Sequence, residues 1–536
     1  MTVEDLTVET AGWRPLDPRM ALVNLRWLLP PLGIIALTAV ASGGVNWEDH
    51  KLQIVSALLF VYLTAAEIVR WRTTRYRVGH EQVEIRSGLF WRRHVAIPRD
   101  RLRTVDLTSG PVHRVFGLAI VTMGTGQALR TDRRDQVKLD AVAVTEAQRL
   151  REELLPRSRP SAPPQEATAS GAASDAASGA ASGAAPAVAP AVAPAEEIAR
   201  LDPAWVRYAP LSPLVFVIGL APLSQAYNLA ERLGIPVDIG GAVLGAVAFL
   251  SSVPRWLLVV LAALVLVAGV VGTVLLFAEA WWRFRLERDQ RTGTLRVGRG
   301  LLTTRSFTLE ERRLRGAELI EPVMLRWGGG ARLKAVASGL RQTLDGPRGG
   351  SGALLPPAPL RVAHATAASV LREQESPLLP ARLRPHPRAA LRRRLLRAAL
   401  ASGAAVAAAA TLAALAGGPV GWAAAVAGLL AVPVSVLLAV DAYRSLGHAL
   451  TGAYLVIRSG VLRRRTVALQ RKGVIGWTVT RSPLQRRSGL ATIAATTAAG
   501  TLGAYTMRDV GYGEGLAVAD EAVPGLLAQF IESAEE

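Results

Sequence analysis

Long apolar stretches alternate with polar regions along this chain. A helix that spans a bilayer needs about 20 apolar residues. Five stretches approach that length, and they cover residues 28–41, 52–69, 256–278, 398–416 and 421–440. A weaker sixth stretch, 211–226, is interrupted by prolines. The pattern predicts a multi-span α-helical membrane protein in which the spans come in three pairs.

The distribution of arginine predicts how these pairs are oriented. The short links inside the pairs are poor in arginine, whereas arginines gather on their outer sides. Because basic residues flank spans on the cytoplasmic side, we expect each pair to be a hairpin, with the larger polar regions and both termini in the cytoplasm. That topology needs an even number of spans before each region. The Gly-rich stretch 235–253, which contains Asp238, is therefore predicted to be re-entrant or interfacial.

The polar regions show the two-residue alternation of strands. "QVEI" (82–85), "HVAI" (94–97) and "TVDL" (104–107) place apolar side chains on one face, and Ser-Gly and Gly-Pro pairs mark turns between them. The segment "VTEAQRLREELL" (144–155) has helical spacing instead. The first region therefore reads as several antiparallel strands followed by a helix.

One string occurs three times. Residues 86–119 match residues 458–491 after a shift of 372, and a shift of 212 brings a more divergent copy at 299–331 into register. The repeated positions, which we interpret as a structural motif, are Gly88, Pro111, Arg114, Gly117, Gly300, Arg326, Gly329, Gly460, Pro483, Arg486 and Gly489. The chain is thus predicted to contain three copies of a unit made of a span pair and a sheet.

The repeat and the apolar stretches divide the chain into eight segments. We expect a cytoplasmic N-terminal segment (1–21), a first hairpin (22–72), a first sheet domain (73–156), a disordered Ala/Ser/Pro linker (157–200), a second hairpin (201–282), a second sheet domain with an internal linker at 345–359 (283–380), a third hairpin (381–443) and a third sheet domain (444–536).

Composition narrows the range of functions. The net charge is +20, cysteine is absent, and no nucleotide-binding, metalloprotease or serine-hydrolase motif occurs. The seven histidines are scattered without metal-ligand spacing. Since the basic residues cluster beside the apolar stretches, the charge is interpreted as a membrane signal. We predict no enzyme activity, no cofactor, no metal and no nucleic-acid partner.

Two groups of charged residues are candidates for contacts. Arg92, Arg93, Arg463, Arg464 and Arg465 are predicted to lie in turns between strands; they are a topology signal, a contact for anionic lipid headgroups or a contact for an acidic protein. An acid near the end of each second span precedes an arginine by three or four residues. These pairs, predicted to be span-end ion pairs, are Glu67 and Arg70, Glu279 and Arg283, and Asp441 and Arg444.

The string from Tyr76 to Ala119, "YRV…VEIRSGL…RR…IPRDRLRTVDL…GPVHRVFGLA", and its two copies resemble the bacterial PH-like membrane proteins of the YdbT type. The resemblance implies a bacterial plasma-membrane protein with three cytoplasmic PH-like domains, each a bent antiparallel sheet capped by a C-terminal helix. It implies no catalytic residues. The leading hypothesis is a non-enzymatic, membrane-anchored binding or adaptor module for protein or anionic lipid. The alternative is a component of a transport or channel assembly.

Overall fold

The computed structural model describes residues 13–19, 62, 65, 68, 69, 72–79, 82–87, 93–98, 104–124, 136–154, 195–222, 254–338, 350, 352–379, 383–499 and 503–527. The predicted spans 28–41 and, for the most part, 52–69 lie outside this range. So does the segment 235–253.

The described chain repeats one order of elements three times: four strands, a short helix, two more strands and a longer helix. The first unit comprises β2 (Arg75–Val78), β3 (Gln82–Ser87), β4 (Arg93–Pro98), β5 (Thr104–Ser109), α1 (Pro111–Val115), β6 (Leu118–Gly124), β7 (Gln136–Ala143) and α2 (Val144–Leu154). A two-residue strand, β1 (Arg14–Pro15), pairs with β2. The alternating segments of the sequence therefore form strands, as predicted.

The second and third units follow the same order. The second comprises β9 (Arg285–Asp289), β10 (Thr294–Arg299), β11 (Thr304–Glu310), β12 (Leu314–Pro322), α4 (Val323–Trp327), β13 (Gly330–Ala337), β14 (Ala353–Pro359) and α5 (Leu360–Leu371). The third comprises β15 (Gly447–Thr451), β16 (Tyr454–Ser459), β17 (Arg463–Gln470), β18 (Val474–Thr480), α8 (Pro483–Arg487), β19 (Leu490–Thr497), β20 (Ala504–Gly511) and α9 (Tyr512–Ala522).

Three long apolar helices separate these units: α3 (Arg255–Trp281), α6 (Arg388–Ala416) and α7 (Gly418–Arg444). Each is long and apolar enough to cross a membrane, and most of its surface is uncovered by the rest of the chain. Glycines bring the helices close to their neighbours. A Cβ on Gly269 would lie 2.0 Å from the carbonyl oxygen of Val215, and one on Gly428 would lie 2.6 Å from the Cβ of Ala409. Residues 214–222, within the weak sixth stretch, are helical.

The sheets do not follow the unit boundaries. The strand order in one sheet is β7-β6-β5-β11-β10-β9-β8, where β8 is Glu196–Arg200, and in another it is β14-β13-β12-β17-β16-β15. The second half of each of the first two units therefore continues into the first half of the next. The first half of unit one (β1-β2-β3-β4) and the second half of unit three (β18-β19-β20) form sheets of their own. We call the β5–β11 contact the first junction and the β12–β17 contact the second junction.

Two of the repeated glycines occupy a turn that other residues cannot enter without strain. Gly300 and Gly460 have φ values of 114° and 127°, and a Cβ on either would lie 2.0 Å from the carbonyl oxygen three residues later. Only glycine takes this conformation readily, which explains why the sequence repeats it. The equivalent Gly88 lies outside the described residues.

Both predicted linkers are shorter in the structure than expected. Residues 196–200, assigned to the first linker, form β8 and pair with β9. Residues 353–359, assigned to the second, form β14, in which Leu354 and Leu355 are fully buried against the core. Pro356 and Pro357 led to the prediction of a linker here. They are tolerated because β14 is the last strand of its sheet.

Candidate site at the junctions between units

The two junctions have the same register. At the first, Ser109 lies opposite Thr304; at the second, Glu321 lies opposite Arg464. Shifting Ser109 by 212 residues, the offset between the first and second copies, gives Glu321. Shifting Thr304 by 160 residues, the offset between the second and third copies, gives Arg464. The junctions are therefore equivalent positions of one repeating arrangement, and their differences can be compared residue by residue.

A cavity of about 630 Å³ lies at the first junction, between unit one and the end of helix α3. Its basic lining residues come from both units: Arg114, Arg283, Arg296, Arg299 and Arg305. None of the described residues that line it is acidic. An anion that enters this cavity meets guanidinium groups, which bind phosphate and carboxylate through paired hydrogen bonds.

Local structure holds these arginines in place. The guanidinium of Arg299 stacks on the ring of Trp281, the last residue of α3, with 4.1 Å between the guanidinium carbon and the ring centroid. Burial, together with the nearby charge of Arg305, lowers the pKa of Arg299 to about 10, although Glu279 acts in the opposite direction. Arg299 therefore remains charged at neutral pH. Arg114 donates a 2.9 Å hydrogen bond from Nη1 to the carbonyl oxygen of Leu301.

The second junction carries its own counter-charges. Arg326, the equivalent of Arg114, donates a 2.7 Å hydrogen bond to Asp441, and Arg464 lies 4.0 Å from the same carboxylate. Arg465 lies 3.5 Å from Glu318, which is 2% exposed. These acids come from β12 and α7, so the positive charge of β17 is balanced within the protein.

Glu321 accounts for much of the difference between the junctions. Burial raises its pKa, while the charges of Arg464, Arg326 and Arg458 act in the opposite direction. The equivalent residue at the first junction is Ser109, whose hydroxyl donates a 2.7 Å hydrogen bond to the carbonyl of Leu118. The first junction thus has a neutral residue where the second has a carboxylate.

The structure places the predicted basic cluster differently from the sequence. Arg463, Arg464 and Arg465 are the first residues of strand β17, not part of a turn, because they pair with the last three residues of β12 (320–322). Arg93 is likewise the first residue of β4. Arg92 lies outside the described residues.

The predicted span-end ion pairs have a different geometry. Helix α3 ends at Trp281, and Arg283 has a φ of 51°, so Arg283 does not share a helical face with Glu279. Asp441 does lie one turn before Arg444 on α7, but its carboxylate pairs with Arg326 of the preceding unit. Glu67 and Arg70 lie outside the described residues.

The remaining repeated positions fall at equivalent points of each unit. Pro111 and Pro483 begin the short helices α1 and α8. The glycines that end the turns after the short helices have φ values between 63° and 69°; they are Gly117, Gly329 and Gly489. Arg486 is exposed on α8. The repeated prolines and glycines thus have the same structural place in each unit. The repeated arginine (Arg114, Arg326 and Arg486) differs in its surroundings from one copy to the next.

Sequence reasoning missed a buried cluster in the third unit. His448 Nδ1 lies 3.1 Å from His386 Nε2, and both rings are buried. Asp509, at a φ of 58°, pairs with Arg393 and Arg394 at the start of α6. The histidines are 62 residues apart, so no spacing signal connects them. Among the described residues, no group of three or more His, Asp or Glu side chains is placed to hold a metal ion.

Known proteins match several parts of this chain. A model of the bacterial PH domain family matches residues 30–158 and 403–522. The UPF0699 transmembrane protein YdbS of Bacillus subtilis (strain 168) is 30% identical over 125 residues, which are 23% of this chain and 74% of that protein. The chain belongs to this family of YdbT-like bacterial PH-like membrane proteins. The UPF0699 transmembrane protein YdbT of the same strain is 31% identical over 112 residues, 20% of this chain.

The matched part of YdbT is 22% of that protein's length. No solved structure matches the chain. The family match and the three apolar helices confirm the predictions of a membrane protein, of transmembrane helices and of PH-like domains with antiparallel sheets.

Proposed function

We propose that this protein is a non-enzymatic, membrane-anchored binding protein whose first junction holds the headgroup of an anionic lipid. The observation that carries the proposal is the cavity lined by five arginines and by no acidic residue among those described. In this proposal the sheet units lie on the cytoplasmic side, with both termini, as the arginine distribution predicts.

The position of the cavity along the chain supports a lipid ligand. Trp282 and Arg283, which directly follow the apolar helix α3, contribute to its lining. The turn at Gly300 is hydrogen-bonded to this end of the helix: the amide of Leu301 donates to the carbonyl oxygen of Glu279, in the last turn of α3, and the amide of Gly300 donates to that of Trp282. A basic cavity fastened to the end of a membrane helix lies where lipid phosphates are found, and each basic residue there contributes about 1 kcal/mol of attraction.

The contrast between the junctions supports selective binding at the first. Both junctions are rich in arginine and both contain acids, because Asp106 at the first is the repeat equivalent of Glu318 at the second. Glu279 also lies near Arg299 at the first junction. The second junction has a further carboxylate, Glu321, where the first has Ser109. An anionic ligand at the second junction would have to compete with this additional carboxylate. The proposal therefore assigns lipid binding to the first junction and a structural role to the second.

The test uses two double variants with the same change in charge. Arg296→Ala/Arg305→Ala removes two exposed arginines that line the cavity, and Arg291→Ala/Arg312→Ala removes two exposed arginines that do not. Each protein is placed in nanodiscs of phosphatidylglycerol and phosphatidylethanolamine, then released for native mass spectrometry. We expect the first variant to lose about 2 kcal/mol, or roughly thirtyfold, in phosphatidylglycerol binding. The control should lose much less.

Equal losses in both variants would show only a general attraction to a charged surface and would reject the site. Wild-type protein that retains no phosphatidylglycerol, but captures an acidic protein through Arg296 and Arg305, would reject the lipid in favour of a protein ligand.

A further inference from the structure

The two junctions join units one, two and three in a row, and the row has one unpaired sheet edge at each end. At a junction, the fourth strand of one unit pairs with the third strand of the next. In the described chain, β4, the third strand of unit one, has no strand of another unit beside it and is the last strand of its sheet. β18, the fourth strand of unit three, likewise has no strand of another unit beside it and is an edge. Within the described chain, both strands are paired on one side only.

Strand β18 is an open edge in composition and in exposure. Its sequence, VIGWTVT, contains no charge and no proline, the devices that natural edges use to prevent pairing. Ile475 is 63% exposed and Val479 is 39% exposed. In the equivalent strand β12, which is covered by β17, the residue that corresponds to Val479 is Leu319, and it is 2% exposed. The strand thus has the apolar, β-branched character of a central strand but lacks its second neighbour.

The register of the two junctions predicts how β18 would pair with β4. The junctions are related by the repeat offsets, and applying the same offsets once more brings unit three against unit one of another chain. The resulting register keeps the proline of β4, Pro98, just outside the pairing, where its missing N–H has no consequence. The pairs are Gly476–Ile97, Trp477–Ala96, Thr478–Val95, Val479–His94 and Thr480–Arg93.

We infer that copies of this chain associate end to end, through antiparallel pairing of β18 of one copy with β4 of the next. This inference goes beyond lipid binding and does not depend on it. The contact is head-to-tail, so it produces either a closed ring or an open row of chains. Because every chain is anchored by its apolar helices, such an assembly would extend along the membrane and place many first junctions side by side.

Cysteine crosslinking tests the pairing and its register together. The chain has no cysteine, so each introduced thiol is the only one present. Two differently tagged full-length chains are co-expressed, one carrying Val95→Cys or His94→Cys and the other Thr478→Cys or Val479→Cys. Oxidation in isolated membranes should link V95C to T478C and H94C to V479C, because directly opposite residues share a face.

The crossed combinations are the matched controls. V95C with V479C, and H94C with T478C, place the thiols on opposite faces of the new ladder. We expect at least tenfold more linked dimer from the matched pairs than from the crossed pairs. Equal linking in all four combinations, or none in any, would overturn the inference. So would a chain carrying both V95C and T478C that links only within itself, since the three units would then close on themselves.

Native mass spectrometry of the unmodified protein in mild detergent gives an independent measurement. We expect masses at multiples of the single chain. A strictly monomeric protein, or a stable complex with a different PH-like chain at this edge, would also overturn the inference.

Discussion

The carboxylate of Asp441, near the end of the last apolar helix, accepts a 2.7 Å hydrogen bond from Arg326 in the short helix of the preceding unit. The bond joins a membrane helix to a sheet unit that comes before it in the chain. It also uses an arginine of the repeated motif for structure, while the equivalent Arg114 faces the cavity of the first junction.

Replacing Asp441 with asparagine should loosen the contact between the second and third units. Arg326 and Asp441 are largely shielded, with side chains 17% and 27% exposed. Leaving one partner without its counter-charge should lower the free energy of unfolding by about 1–3 kcal/mol. Thermal unfolding in detergent measures the effect, with Asp520→Asn on an exposed face of α9 as the control. Equal midpoints for the two variants would contradict the structural role of the pair.

The substitution Glu321→Gln should make the second junction resemble the first. It removes the carboxylate that lies among Arg464, Arg326 and Arg458 while keeping its size. At pH 8 we expect the variant to retain more phosphatidylglycerol per chain than the wild type, because an anionic headgroup would no longer compete with Glu321. Native mass spectrometry from nanodiscs counts the bound lipids. An unchanged count would mean that charge balance does not distinguish the junctions.

Alanine at Gly300 should be far more harmful than alanine at Gly293. Both glycines have positive φ, but a Cβ on Gly293 meets nothing within 4 Å, whereas one on Gly300 meets the carbonyl oxygen of Thr303 at 2.0 Å. We expect a loss of about 1 kcal/mol for Gly293→Ala, and at least about 3 kcal/mol for Gly300→Ala, in the free energy of unfolding. Thermal unfolding compares the two. Similar losses would mean that the turn relaxes.

Asp106 should make the protein less stable as the pH rises. It lies opposite Phe307 at the first junction, one carboxylate oxygen is buried without a hydrogen-bond partner, and burial raises its pKa to about 6. The folded state therefore holds this proton to higher pH than the unfolded state does. As the pH rises from about 4 to about 6, the contribution of Asp106 to the free energy of unfolding therefore falls by up to about 3 kcal/mol.

The variant Asp106→Asn should consequently be more stable than the wild type at pH 7.5, and the two should converge towards pH 4. Thermal midpoints across this range test the prediction, with Asp520→Asn as the control. A variant that is less stable than the wild type at pH 7.5 would show that the charged form has a favourable partner.

His386 should make the protein less stable as the pH falls, the opposite of the pH dependence expected from Asp106. Burial, the neighbouring His448 and the charge of Arg394 lower its pKa to about 4, although backbone carbonyls of Arg508 and Asp509 act in the other direction. The folded state resists protonation of His386, so the contribution of His386 to the free energy of unfolding is fully present above about pH 6.5. This contribution is lost as the pH falls towards 4, and the loss is up to about 3 kcal/mol.

Asparagine at position 386 cannot take up a proton and should weaken this acid sensitivity. The midpoints of His386→Asn and wild type, followed from pH 7.5 to pH 4, should show a shallower decline for the variant. Asp520→Asn changes an exposed carboxylate on α9 and serves as the control. Parallel declines for all three proteins would assign acid sensitivity to other groups.

The amino-acid sequence by itself determined the local elements and their repetition. Alternation of apolar residues predicted strands such as β3 and β5, and uninterrupted apolar runs predicted α3, α6 and α7. The repeated glycines marked turns such as the one at Gly300, because only glycine fits their backbone. These properties depend on the preferences of neighbouring residues, which a sequence displays directly.

Only the tertiary structure decided which strands are neighbours and which charges meet. Alternation shows which face of a strand is buried, but its backbone donors and acceptors are the same whichever strand pairs with them. The sequence therefore did not reveal that β12 continues into β17, and it left Arg463–Arg465 in a turn. Nor could it show that Asp441 pairs with Arg326, 115 residues away, rather than with Arg444 on its own helix. A long side chain at an element's end binds the partner that folding brings near, and that partner is set by the packing of whole units.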